Sequence, residues 1–358
     1  MSSVNPMSPL RVGRFSTIIR WRVVLVCVVL TLGTAAMFTL SIAHGDYELS
    51  PGDVWRILSG SGSKIENRIV IDVRLGRALV GLLVGAALAL AGALTQSVAR
   101  NPLASPDVLG ITQGASLAAV ILLTFAHGGG SLGESADVIL HTLRLPSAAV
   151  VGALIVATVV WLIAGSSRHS MVRFVLIGVA ISTLCASLNT WIMSIGDLDQ
   201  VASARLWLTG SLNGRDLDEV WAPLTVVLAA ALASAYLSFH LAALTLGDTT
   251  ATLLGHNVRV IQAVQLVFAV ALSAIAVAAA GPIGFVAFVS PQVAMRLAGT
   301  PTPPLITSAL TGALLVTSAD FIARVVLPWE LPVGIVTTIV GAPVLIYLII
   351  KLNRKATR

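Results

Sequence analysis

Apolar residues in this chain cluster into long uncharged blocks and do not alternate singly with polar ones. A block of about 20 residues matches the ~30 Å of hydrocarbon that a helix must cross. The pattern therefore predicts membrane-spanning helices, ten in number, at about 23–43, 78–98, 108–126, 146–165, 172–195, 222–243, 261–280, 284–298, 304–323 and 333–350. The eighth is short and opens on Gly281-Pro282-Ile283-Gly284, a helix-breaking sequence. The seventh and eighth spans are accordingly expected to form a broken hairpin. Barrel strands would alternate polar and apolar residues over about 10 positions, which this pattern does not do.

Composition narrows the class. Of 358 residues, 56% are hydrophobic and only 11% charged, with a mean hydropathy of +0.94; about 25% charge is usual in a soluble domain. That leaves too little polar material to coat a soluble fold, which excludes a soluble enzyme, a disordered chain and a disulfide-stapled module. The 30 glycines point to a bundle in which helix backbones approach closely. Gly85 and Gly92, seven residues apart in Gly85–Gln96, share one helix face suited to such contact. Cys27 and Cys185 lie inside apolar runs without CxxC or metal-ligand spacing, as packing thiols do.

Charge then orients the spans. With the N-terminus inside and the spans alternating, 13 of the 22 Lys and Arg residues fall on the inner side with two of the 16 acids, Asp107 and Asp248. That excess supports ten spans with both ends in the cytoplasm, and accounts for the net charge of +6 without nucleic-acid binding. The expected organisation is a cytoplasmic tail over 1–22, one transmembrane domain over 23–350 with its longest inner loop at 244–260, and a second cytoplasmic tail over 351–358.

Several chemistries are missing from the chain. It has no GxxxxGK[ST] phosphate loop, so it cannot hydrolyse ATP alone. No HExxH or clustered histidine suggests a metalloenzyme, and no row of acids at mid-membrane suggests ion coupling. Asp320 is the sole acid near a span, one helical turn from Arg324, where an i,i+4 ion pair accounts for it. A pump driven by a separate ATPase fits these absences better than a self-contained carrier.

Four blocks remain. The first runs from Gly85–Gln96 through Arg100 and Asn101–Gly110 (NPLASPDVLG), where two prolines break the chain at the inner surface. The second is the loop Ala243–Val260, in which Thr249–Leu254 can form a short helix stopped by Gly255, with Leu253 and Leu254 free to enter a partner's groove. The third is Gly281–Arg296 (GPIGFVAFVSPQVAMR). The fourth comprises Ala319–Arg324 (ADFIAR), Glu330–Thr337 (ELPVGIVT) and Gly341-Ala342-Pro343.

The order of these blocks, from about Arg74 to Tyr347, resembles the FecCD-type permeases, the membrane subunits of ABC importers for iron-siderophores, haem and vitamin B12. Arg74-Leu75-Gly76-Arg77 resembles the family's Arg-Leu-Pro-Arg apart from Gly76, and Gln292 stands where His is common. The resemblance implies an all-α polytopic fold of the type II importer class, like the vitamin B12 importer permease, in the cytoplasmic membrane of a bacterium. It implies outward-facing arginines, here Arg74, Arg77 and Arg324, that receive acidic residues of an extracytoplasmic substrate-binding protein. It implies ATPase coupling through Thr252, Leu253, Leu254, Gly255 and His256. It also implies a pathway at the interface of two permease subunits, for which Ser187, Asn189, Thr190 and Ser194 of the fifth span are candidates. Asn189 and Ser194 are equally suited to helix–helix hydrogen bonding.

The reading is thus a permease subunit of an ATP-driven importer of ferric siderophores. It would pair with a second permease, identical or similar, two ATP-binding subunits and a binding protein in membrane lipid. No cofactor is expected in this chain, ATP and Mg being held by the ATPase. The same importer class carrying vitamin B12 or haem is the alternative. A secondary transporter would work without an ATPase, and a lipid-modifying enzyme would act as the purified chain.

Overall fold

The computed structural model describes residues 7–12, 15–45, 47, 49–125, 134–164, 171–244, 247–325 and 330–356. Two strands, β1 (Met7–Val12) and β2 (Phe15–Arg20), pair antiparallel with Met7 opposite Arg20. They are the one departure from an all-α fold among the described residues, and Val12, Phe15, Thr17, Ile18 and Ile19 have the branched and aromatic side chains that suit a strand.

The apolar blocks form helices close to their expected limits, except that the helix expected at 146–165 begins twelve residues earlier, at Glu134. These are α1 (Trp21–Ala43), α4 (Gly76–Ala99), α5 (Ile111–Phe125), α6 (Glu134–Ala164), α7 (Met171–Ile195), α9 (Trp221–Leu244), α11 (Val258–Ala280), α12 (Val286–Ala298), α13 (Leu305–Val325) and α14 (Val333–Ala356). Seven stretches are long and apolar enough to cross a membrane, and the shorter apolar helices Ile111–Phe125, Val286–Ala298 and Val333–Tyr347 stand at the other three expected spans. α14 continues past residue 350, so most of the expected C-terminal tail is helical.

Between α1 and α4 lie short elements that span-finding does not reveal. Helices α2 (Pro51–Arg56) and α3 (Lys64–Asn67) each run into a π-helical turn, Ile57–Ser61 and Arg68–Leu75. Ser50 with Asp53, and Ser63 with Glu66, form reciprocal caps at their starts. The Ser50 hydroxyl and backbone N–H bonded to Asp53 hold its carboxyl below the usual range. Two further short helices are α8 (Leu198–Leu208) and α10 (Asp248–Leu253).

α4 is the axis of the bundle and is buried along nearly its whole length against α11, α12 and α13. The expected glycine face explains how. A Cβ at Gly85 would strike the Gly312 backbone of α13, and one at Gly92 would strike the Ala287 carbonyl of α12. The helices touch backbone to backbone, where dispersion replaces the missing hydrophobic drive within lipid. α1, α6, α7 and α9 leave large apolar side chains exposed, among them Leu25, Leu162, Leu184 and Leu232.

The break between α11 and α12 is as the sequence leads one to expect. α11 stops at Gly281 with φ 72°, and α12 starts from Phe285 with φ 66°, a left-handed conformation that costs a non-glycine residue energy. Phe285 packs against Gly341 of α14, where no other side chain would fit.

Candidate functional site

The three arginines converge where the C-terminal ends of α1 and α13 meet the start of α4. A helix end leaves backbone carbonyls without partners, and Arg74 supplies them. Its Nη1 donates to Ile42 O at 2.8 Å and Ala43 O at 3.1 Å, and its Nη2 to Tyr47 O at 2.7 Å. Arg77 donates from Nε and Nη2 to Asp320 Oδ1 at 3.0 and 2.9 Å. Arg324 donates from Nε to Asp320 Oδ2 at 3.1 Å, and from Nη2 to Ser41 Oγ at 2.6 Å and Ser41 O at 3.1 Å.

The expected pair of Asp320 with Arg324 is present, and Arg77 joins it from a residue 243 positions away. The three guanidinium groups are largely covered within this chain. Arg74 is 8% exposed, and the side chains of Arg77 and Arg324 are 12% and 10% exposed. The cause is the demand of α1's carbonyls and of a carboxylate that is itself only 3% exposed. Arg77 Nη1 lies 3.9 Å from Oε1 of the exposed Glu330.

The α10 loop takes the expected form. The helix ends in a Schellman motif: His256 N–H donates to Ala251 O and Gly255 N–H to Thr252 O, both at 3.0 Å, with Gly255 at φ 85°. Ala251 is fully buried and anchors the helix, Thr252 is exposed and His256 half-buried. Leu253 and Leu254 project with 84% and 60% of their surfaces open.

The fifth-span candidates do not share a face. Ser187, Thr190 and Ser194 lie on the exposed side of α7 with Leu176, Leu184 and Trp191. The Thr190 and Ser194 hydroxyls donate back to Ala186 O and Trp191 O, which satisfies them on an apolar surface. Asn189 points the other way, into the bundle, and its Oδ1 has no hydrogen-bond partner among the described residues.

The FecCD transport family matches residues 19–351. The chain belongs to the FecCD transport family. It is 33% identical over 336 residues to the ferric enterobactin transport system permease protein FepG of Escherichia coli (strain K12), covering 93% of this chain and 98% of that protein. It is 39% identical over 287 residues to the Fe(3+) dicitrate transport system permease protein FecD of the same organism, covering 80% and 86%. Among solved structures it resembles an inward-facing conformation of a metal-chelate type ABC transporter, at TM-score 0.78 and 25% identity, covering 91% of this chain and 99% of that one.

Two features of this FecCD permease escape a linear reading. Gln292 Nε2 donates to Gln96 Oε1 at 2.7 Å, and Gln96 Nε2 to Phe288 O at 3.2 Å, a buried amide bridge from α4 to α12. Two amides in apolar spans are a hint that each needs a partner, but their separation hides which. The GPIGF and ELPVG blocks also meet in space, at the end of α8, through close backbone contacts of Gly210.

Proposed function

We propose that this chain is one of two permease subunits of an ATP-driven importer that carries a ferric chelate of the siderophore class across a bacterial cytoplasmic membrane. The carrying observation is the family match across 19–351, joined to relatives named for ferric enterobactin and ferric dicitrate transport. Ten spans with both termini in the cytoplasm fit the seven long and three short apolar helices. The mechanism is alternating access: a pair of ATPase subunits binds ATP and Mg, closes on α10, and reorients the helices that line the path between two permeases.

Each part of the chain has a place in that cycle. Leu253 and Leu254 offer an apolar knob to the ATPase, and the buried Ala251 transmits its displacement to the bundle. The α7 stripe of Ser187, Thr190 and Ser194 faces the second permease and lines a weakly polar wall. Such a wall suits a chelate that already satisfies its iron, since strong ligands would trap it. At the outer end the cluster of Arg77, Asp320 and Arg324 carries one net positive charge toward an acidic lobe of a binding protein.

Uptake of 55Fe-labelled siderophores by cells with and without this chain tests the reading. ATP-dependent uptake that vanishes with the chain is expected. Uptake of labelled cobalamin or haem alone would reassign the cargo, and uptake without any ATPase partner would overturn the importer assignment.

A further inference from the structure

α11 differs from every other long apolar helix among the described residues: between Val258 and Ala280 it contains neither Gly nor Pro. α1, α4, α5, α6, α7, α9, α12, α13 and α14 each contain at least one. Glycine and proline are where helices bend. A 23-residue helix without them has no such bending point over its length of about 35 Å, long enough to span the membrane.

Both ends of this helix are tied. At its start, only Asn257 separates it from the Schellman cap of α10, which ends at His256, and Asn257 Oδ1 accepts the Val260 N–H at 3.4 Å. At its finish, the last carbonyl, Ala280 O, accepts the Ser211 N–H at 2.8 Å, and Gly210 O accepts the Gly334 N–H at 3.1 Å. The segment just after α8 is thereby bonded to α11 on one side and to the first turn of α14 on the other.

Three glycines make this junction possible. A Cβ on Gly281 would lie 2.6 Å from Trp207 O, one on Gly210 would strike Pro282 O, and one on Gly334 would strike Thr209 O. None of the three sites has room for any side chain. α8 in turn follows α7 after only Gly196 and Asp197.

We propose that Gly210, Gly281 and Gly334 are positioning residues that join the tip of α11 to α8 as one rigid body, so that a displacement of α10 is delivered to the α7–α8 end of the pathway. This deepens the importer reading above and rests on it. α11 is the rod, the glycine junction its outer joint, and α7 with its hydroxyl stripe the moved element.

The test uses the complete importer, with its ATPase and binding protein, in proteoliposomes. ATP-dependent uptake by the wild type establishes the importer reading first; its absence would overturn that reading and not this one. Gly210→Ala and Gly334→Ala are then expected to lower uptake per ATP hydrolysed about tenfold while hydrolysis continues. Gly214→Ala is the control: Gly214 and Gly210 both have φ 70°, but nothing lies within 4 Å of a Cβ at Gly214. It should leave the ratio unchanged. Equal loss of uptake and hydrolysis in all three variants would overturn the proposal.

A second arm does not depend on those variants folding. Ser211→Cys with Ala280→Cys, in a background lacking Cys27 and Cys185, staples the junction by a disulfide. A rigid junction predicts full uptake with the staple closed. Uptake lost on oxidation and restored by reductant would show that α8 and α11 separate during the cycle, which overturns the proposal.

Discussion

Asp320→Ala is the substitution whose cost follows most directly from the geometry. The carboxylate accepts three guanidinium N–H bonds, at 2.9 and 3.0 Å from Arg77 and 3.1 Å from Arg324, and is 3% exposed. Removing it does more than delete those bonds. It leaves two guanidinium groups, 12% and 10% exposed, facing each other with only the exposed Glu330, 3.9 Å from Arg77 Nη1, as a nearby counter-charge. Breaking a buried ion pair by deleting one partner costs about 3–5 kcal/mol. Screening at the membrane surface places the expected loss toward the lower end, about 3 kcal/mol. In a chain of 358 residues that corresponds to a fall in Tm of roughly 4 °C. The assay is thermal unfolding of the detergent-purified protein, followed by tryptophan fluorescence and by the monodisperse fraction after heating. A companion variant, Arg77→Met with Asp320→Leu, removes one charge of each sign and should recover more than half of the loss. A single Asp320→Ala protein that melts within about 1 °C of the wild type would refute the reasoning, since a buried counter-ion cannot be lost at so little cost.

Two further outcomes follow from exposure and protonation. Leu253→Asp and Leu254→Asp change side chains that touch little of their own chain, so melting should stay within about 0.5 kcal/mol of the wild type while co-purification with the ATPase fails; retained association in both would remove α10 as the coupling element. Asp107, outside the spans, accepts a hydrogen bond from Thr112 Oγ1 at 2.5 Å, yet burial pushes its carboxyl above the usual range. A raised native pKa means that the folded chain holds the proton more tightly than the unfolded one, so the ionised form carries a penalty that grows as pH rises above 3.8 and levels off above the native value. Asp107→Asn should therefore raise Tm at pH 7 and raise it less at about pH 3.5, below the unfolded value of 3.8; an equal or opposite effect at the two pH values would contradict it.

The spans were legible because lipid imposes one simple demand, a run of apolar residues of fixed length, and α4 and α13 follow it almost to the residue. The glycine face of Gly85 and Gly92 was legible for the same kind of reason, since seven residues return to one side of a helix. The α10 stop at Gly255 could be read from local chemistry. What could not be read was pairing across distance. Nothing in the spacing of Arg77 and Asp320, or of Gln96 and Gln292, says that they meet, because the bundle and not the sequence sets which helix ends are neighbours. The α2–α3 region escaped because its helices are short and amphipathic, with exposed Trp55 and Ile65, and so present no apolar run.

That distinction alters how the outer arginines must be read. A sequence reading treats Arg74, Arg77 and Arg324 as three independent charges waiting for an acidic partner. In the structure they do different work. Arg74 spends its described bonds on the end of α1, so reversing its charge would set a carboxylate against three carbonyls and loosen α1 from α4 whatever happens to docking. Arg324 shares its guanidinium between Asp320 and Ser41, and its reversal would place two carboxylates side by side in a buried site. Only Arg77 combines a held edge, fixed by Asp320, with an Nη1 near a surface carboxylate at 3.9 Å. An acidic lobe arriving from outside would compete with Glu330 for that one nitrogen while the rest of the cluster keeps its shape. A loss of docking in Arg74 or Arg324 variants therefore counts as recognition only when their melting is unchanged, and the same control applies to Arg77, whose side chain is 12% exposed and bonded to Asp320.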